Sequence, residues 1–317
     1  MYRIGIDLGG TLIKAGLMYN GQVKAFEIFE ANAGNGVKGN LPLIESAVNA
    51  LMAGSKVLPD QLGGVGLAFP GLVDPVRNAV ISTNQKYDDA FDVDFNAWAE
   101  SNWNVPFCMD NDARLAMIGE WQYGAARGHQ NVVMLTIGTG IGTGVVLEGK
   151  VLYGQHFQAG SLGGHFVVDY KGRTCSCGNR GCVEALASSA FLPAIIQEHP
   201  GLSAAFKARA KEYDFKQIFA LAGEGDVEAI ALRNNCMDIW AAALVNCIHA
   251  YDPSIIVLGG GILKSSEVIL PYLQERVGRL AWCPSGHVEI VNAASGDQAA
   301  LLGIEYRLIK QYQSVNK

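Results

Sequence analysis

The chain has 317 residues, about twice the ~150 usual for one domain, which favours two lobes. Half of it is apolar and 17% is charged, a globular composition that excludes a disordered chain. A net charge of -6 argues against a nucleic-acid coat or an anionic membrane surface as partner.

In chain order, Tyr2 to Asp7 and Leu12 to Met18 read as two strands around the turn Leu8-Gly-Gly-Thr11. A helix is predicted over 41–54, with Ile44, Ala47, Val48, Leu51 and Met52 in 3.6-residue period, Asn40 as its cap and Pro42 in its first turn. Strands follow at 65–69 and 105–109, then a helix through 113–121. The pattern begins again with a strand at 132–137, a turn at 138–144 and a return strand at 145–147. A helix near 228–250, a strand at 254–258 ending in Gly259-Gly-Gly261, a helix near 266–279, a strand at 287–291 and a last helix from Asp297 complete the chain. Two strand–glycine turn–strand units about 130 residues apart indicate a duplicated α/β lobe, with a soft boundary near 112–130.

Glycine is over-represented, 38 of 317, and it gathers at strand ends, where bare backbone N–H groups can converge on an anion. No Gly-x-x-x-x-Gly-Lys-[Ser/Thr] motif occurs, and the 138–144 turn leads into a strand, so P-loop and Rossmann readings fail on context. Three of the seven cysteines crowd into Cys175-Ser-Cys177-Gly-Asn-Arg-Gly-Cys182, a spacing that suits one tetrahedral ion, with His165 ten residues upstream as a fourth ligand. Such a filled site is structural and leaves no position for an activated water. The alternative is a set of free buried thiols. Met1-Tyr2-Arg3 runs at once into Ile4-Gly-Ile-Asp7, so no secretory signal is expected, no apolar run reaches the ~20 residues of a membrane span, and the cytoplasm is the expected address.

The three turns resemble the nucleotide motifs of the hexokinase/actin-like ATPase superfamily. Asp7-Leu-Gly-Gly-Thr11 is similar to its first phosphate motif, the 136–144 segment to its second, and Ile256-Val-Leu-Gly-Gly-Gly261 to its adenosine motif. The knuckle, Gly-His followed by Cys-x-Cys-Gly-x-x-Gly-Cys-x-Glu, resembles the signature of the ROK family (repressors, open reading frames and sugar kinases), over residues 1 to about 310. The resemblance implies an α/β fold of two ribonuclease-H-like lobes with a cleft between them, and a homodimer. The expected lobes are 1–112, with the C-terminal helix of about 301–317 packing back on it, and a larger 113–300 carrying the knuckle. It also implies ATP, Mg²⁺ and a structural Zn²⁺ held by His165, Cys175, Cys177 and Cys182, and phosphorylation of a hexose or N-acylated hexosamine on its 6-hydroxyl. Nucleotide contacts fall on Asp7, Gly9, Gly10, Thr11, Lys14, Gly138, Thr139, Gly140, Gly259, Gly260 and Gly261. The repressor branch carries an N-terminal helix-turn-helix; here the first hairpin starts at residue 3, which favours the kinase branch and no nucleic-acid partner.

By the same match Asp112 is the general base and Asn111 a sugar partner, although Asp112 also reads as a helix cap. Glu184, His165 and Asn84 match sugar-binding positions; Glu184 as a solvated loop residue and His165 as a pure metal ligand are the alternatives. Two departures concern the sugar: Leu162 stands where the family has a glutamate, and Arg114 where asparagine is common. A lost acceptor and a gained cation would favour a different hydroxyl pattern or an acidic sugar. A sugar-sensing regulatory protein on the same scaffold is the competing reading.

Overall fold

The computed structural model describes residues 1–83 and 86–315. The chain forms two compact units: Met1–Gly128 with Val151–Gly160 and the C-terminal stretch from Ala294, and His129–Lys150 with Ser161–Ala293. In chain order the first unit supplies β1 (Tyr2–Leu8), β2 (Leu12–Tyr19), β3 (Gln22–Glu30), α1 (Gly36–Gly54), β4 (Leu62–Phe69), β5 (Leu72–Asp74), β6 (Ala79–Ser82), α2 (Phe95–Trp103), β7 (Phe107–Asn111) and α3 (Asp112–Tyr123). The second unit begins with β8 (Val132–Ile137), β9 (Ile141–Leu147) and β10 (Lys150–Val151). It continues with α4 (Val183–Ala187), α5 (Leu192–Glu198), α6 (Ala204–Ala208), α7 (Phe215–Gly223), α8 (Val227–Tyr251), β11 (Ile255–Gly259), α9 (Ser266–Leu280) and β12 (Glu289–Asn292). The last helix, α10 (Ala299–Val315), belongs to the first unit.

The two sheets repeat one topology. In the first, the order is β3-β2-β1-β4-β7, with β1–β2 and β2–β3 antiparallel and β1–β4 and β4–β7 parallel. In the second it is β10-β9-β8-β11-β12, with β8–β9 antiparallel and β8–β11 and β11–β12 parallel. Each sheet therefore opens with a glycine hairpin and continues through parallel crossovers, as the repeated pattern in the sequence predicts.

Apolar strands bury the core of the first unit: Ile4, Ile6, Ile13, Leu17, Val65 and Phe69 are fully enclosed. Helices α3 and α10 cross closely in the same unit, and glycine is what permits it. A Cβ on Gly119 would lie 2.0 Å from Ala299 O, and one on Gly303 would lie 2.0 Å from Leu115 O. That packing holds α3 in the first unit, so the unit runs beyond the division at 112/113 expected from the sequence.

Three local expectations change. Helix α1 starts at Gly36 and not near 41, and Pro42 lies inside it. Asn40 is buried and bonds back to Asn32 and Gly36, while the first amides, Val37 N and Lys38 N, are accepted by the carboxylate of Asp89 at 2.7 and 2.8 Å. The second glycine turn is only Gly138–Gly140, because Ile141–Gly144 already pair with β8. Strands β3, β5, β6 and β10 and helices α2 and α4–α7 are additional elements. Among the described residues, no helix is long and apolar enough to cross a membrane.

Candidate functional site

In the first unit, β1 ends at the β1–β2 turn with Asp7 paired in register with Lys14. Lys14 Nζ lies 3.5 Å from Asp7 Oδ2 and 2.8 Å from Asp297 Oδ1, so two carboxylates already meet its charge. Burial raises the Asp7 carboxyl above its ordinary value, and Lys14 offsets this only in part. Among the described residues, the N–H groups of Gly10 and Thr11 at the turn donate to nothing. Free amides flanked by a carboxylate suit a phosphate with its cation.

The β7–α3 junction carries Asp112. The helix cap is Asn111, not Asp112: its side-chain oxygen accepts from Arg114 N at 3.0 Å, and Asp112 is the first helical residue. The Asn111 amide also donates to Gly71 O at 3.1 Å and to Asp112 Oδ1 at 3.0 Å. Ala113 N donates to that same Oδ1 at 2.7 Å, which leaves Oδ2 with no hydrogen bond among the described residues. Burial, and then the charge of Asp7, push the Asp112 carboxyl up to about 6; Ala113 N–H, Lys86 and Asn111 work against this. One oxygen is thus fixed and the other is poised to take a proton.

Beneath the junction, Asp110 is fully buried. It accepts from Asn111 N at 2.8 Å, Arg114 Nη1 at 2.8 Å, Tyr153 OH at 3.0 Å and Arg307 Nη1. Arg114, itself fully buried, also donates to Phe157 O and Ala159 O and stacks on Tyr153 at 4.7 Å. The sequence-based expectation of a pocket cation at Arg114 is therefore corrected: this guanidinium props the junction from behind. Arg114→Leu is expected to destabilise the protein by about 3 kcal/mol, read by urea unfolding, because a buried carboxylate loses one of its two guanidinium partners.

In the second unit, the turn carbonyls of Gly138 and Thr139 accept from Ser189 N and Ala190 N at 3.0 and 3.1 Å. The N–H groups of Thr139 and Gly140 donate to nothing among the described residues. At the end of β11, Gly260 has φ 95°, and a Cβ there would lie 2.3 Å from Ile137 O, so the second and third turns are neighbours. Gly138 and Gly261 differ, since a Cβ on either meets nothing within 4 Å. The chain itself does not require glycine there, which fits a backbone left bare for a ligand.

The knuckle lies in the same unit. The ligand atoms of His165, Cys175, Cys177 and Cys182 are all within 4.8 Å of one another. Cys177 Sγ–Cys182 Sγ is 3.8 Å and Cys175 Sγ–His165 Nδ1 is 3.6 Å. A tetrahedral zinc with bonds of ~2.3 Å to sulfur and ~2.0 Å to nitrogen needs edges of about 3.8 and 3.5 Å, so this donor set fits the ion. Burial and the neighbouring thiols raise Cys182 and Cys175, so binding an ion would release protons here.

Glu184 lies in the first turn of α4, two residues after Cys182, and is buried, which excludes a solvated loop residue. Its Oε2 accepts from Ile141 N at 2.9 Å, and Ser176 Oγ donates to its Oε1 at 3.4 Å. Glu184 therefore joins the knuckle to the second glycine turn, a link the sequence gives no sign of. Leu162 precedes the one-turn helix Gly163–His165 and offers only its carbonyl, to His165 N at 2.9 Å. Asn84 lies outside the described residues. Lys86 and Tyr87 also stand beside the first turn, and no sequence motif marks either of them.

Two repeated sheets, each opening on a glycine hairpin with uncommitted amides, define a duplicated α/β fold of the phosphate-binding kind. The ROK family profile matches residues 3–311, and the chain belongs to the ROK family. It is 31% identical over 308 residues to a glucokinase of Thermotoga maritima, covering 95% of each chain. A ROK family glucokinase of Streptomyces griseus, solved with glucose and AMPPNP, superposes with a TM-score of 0.81 at 26% identity, covering 96% of this chain and 98% of that one. The family also reaches a xylose repressor of Bacillus subtilis, 25% identical over 98% of this chain and 78% of the repressor. The fold is that of the ROK kinases, built from two actin-like lobes.

Proposed function

We propose that the protein transfers the terminal phosphoryl group of ATP to the 6-hydroxyl of a hexose or N-acylated hexosamine, with Asp112 as general base. The observation that carries this reading is the Asp112 carboxylate, with one oxygen pinned by Ala113 N and Asn111 and the other uncommitted, in the electrostatic field of the first glycine turn. Oδ2 accepts the hydroxyl proton as the sugar oxygen closes on phosphorus, and the turn amides of Gly10 and Thr11 in the first unit, like those of Thr139 and Gly140 in the second, suit phosphate oxygens. Asp7 would hold the Mg²⁺ that accompanies ATP, by way of a water, and that ion would supply charge neutralisation at the phosphates. Zn²⁺ would fix the knuckle, so that Glu184 and His165 Nε2 meet the sugar hydroxyls in a set orientation.

A base must be ionised to accept a proton. With the carboxyl raised to about 6, kcat is expected to fall roughly tenfold per pH unit below about pH 6 and to be level just above it. An acid limb centred near pH 4 would contradict the assignment.

A sugar-binding regulator is the second reading, favoured by the xylose repressors in the family and by Leu162 in place of an acceptor. A coupled ADP-release assay over hexoses, hexosamines and their N-acetyl forms separates the two. Sugar-dependent ADP supports the kinase; tight sugar binding with background ADP supports the regulator.

A further inference from the structure

The segment after β6 carries a cation that the steps above do not use. Lys86 N donates to Thr83 O at 3.0 Å, and Thr83 Oγ1 donates to the carboxylate of Asp88. Tyr87 is buried in a left-handed conformation, φ 59°, and its hydroxyl donates to Gly9 O at 2.7 Å. Tyr87 thereby fastens this segment to the β1–β2 turn. Lys86 is carried over the turn as a result: its Cε and Nζ lie 3.7 Å from the point where a Gly10 side chain would begin. Among the described residues its ammonium makes no ion pair, and its field reaches Asp112. The other lysine at the turn, Lys14, is held by two carboxylates. A partly exposed ammonium lying close to two uncommitted amides, with its field on a carboxylate base, is placed to meet an anion there.

We propose that Lys86 is a catalytic residue that holds the terminal phosphoryl group as it passes from ADP to the acceptor oxygen. The proposal rests on the kinase reading above. In the step, the acceptor oxygen gives its proton to Asp112 and bonds to phosphorus. The bond from phosphorus to the bridging oxygen breaks, and its electron pair leaves with ADP. Lys86 keeps its proton throughout and supplies charge alone. Negative charge spreads over the phosphoryl oxygens during transfer, so an ammonium there favours the transition state over bound ATP.

The test uses Lys86→Met and Lys86→Arg in the full chain, with kcat for an accepted sugar and calorimetric affinities for ATP and ADP. Lys86→Met is expected to lower kcat by about 10²–10³-fold. Its sugar KM should move less than about threefold and its preference for ATP over ADP should drop by about tenfold, with Lys86→Arg restoring most of both. A purely structural lysine would lower thermal stability without that selective loss of ATP affinity. Lys86→Gln gives the same readouts if the Met variant does not fold. Parental kcat with an unchanged ATP-to-ADP ratio overturns the proposal. If the parent turns over no sugar, the kinase reading fails separately, and the nucleotide ratio alone then decides for or against Lys86.

Discussion

Asp112→Asn is expected to lower kcat by about 10²–10⁴-fold while the sugar dissociation constant moves less than about threefold. The amide is isosteric, so its oxygen can still accept from Ala113 N, while the Asn111 cap on Arg114 N is untouched. What is lost is the only uncommitted acceptor at the junction that can carry a proton. The acid limb near pH 6 should vanish with it. Stopped-flow or coupled ADP release gives kcat, and calorimetry gives sugar affinity. A variant with near-parental turnover would remove Asp112 from the chemistry, and one that no longer binds sugar would make it a structural residue.

The second large effect concerns the knuckle. Freshly purified protein is expected to hold about one zinc per chain by elemental measurement. Cys182→Ser should lose the ion and lower sugar-dependent turnover by at least about 10²-fold. The size follows from connectivity. Cys182 is fully buried, Glu184 stands two residues on, and Glu184 Oε2 holds Ile141 N where the second turn enters β9. Freeing the knuckle therefore loosens the loop and the turn for which sugar and phosphate contacts are proposed, both together. Ser176 Oγ, bonded to Glu184 Oε1, belongs to the same connection. Metal well below one per chain, or full activity in the serine variant, would contradict this account.

The two hairpins were legible because short Ile- and Val-centred runs flanking glycine have few other solutions. The knuckle was legible because metal-ligand spacing is local in sequence. What escaped is what distance decides. Asp89 supplies the amide acceptors of α1 from 51 and 52 positions away, so Asn40 and Pro42 misplace the start of that helix. Strand β3 is the exception: Asn20-Gly21, both at positive φ, followed by Val23, Phe26, Ile28 and Phe29, is a local hairpin signal, so this exposed edge strand is legible in the sequence after all. Arg114 reads as a pocket cation until Phe157 and Ala159, 43 and 45 residues on, are seen to take its guanidinium. Asn111 and Asp112 are both good caps, and only the backbone shows which one plays that part. Tyr87 reaches Gly9 across 78 residues, which is why the lysine beside it carries no mark in the sequence.

Phosphorus NMR of the reaction mixture tests the transfer itself. With ATP, Mg²⁺ and an accepted hexose or N-acetylhexosamine, each ADP formed should be matched by one phosphate monoester on the sugar's primary hydroxyl. ADP accompanied only by inorganic phosphate, or no ADP at saturating concentrations of every sugar that binds, would contradict the account.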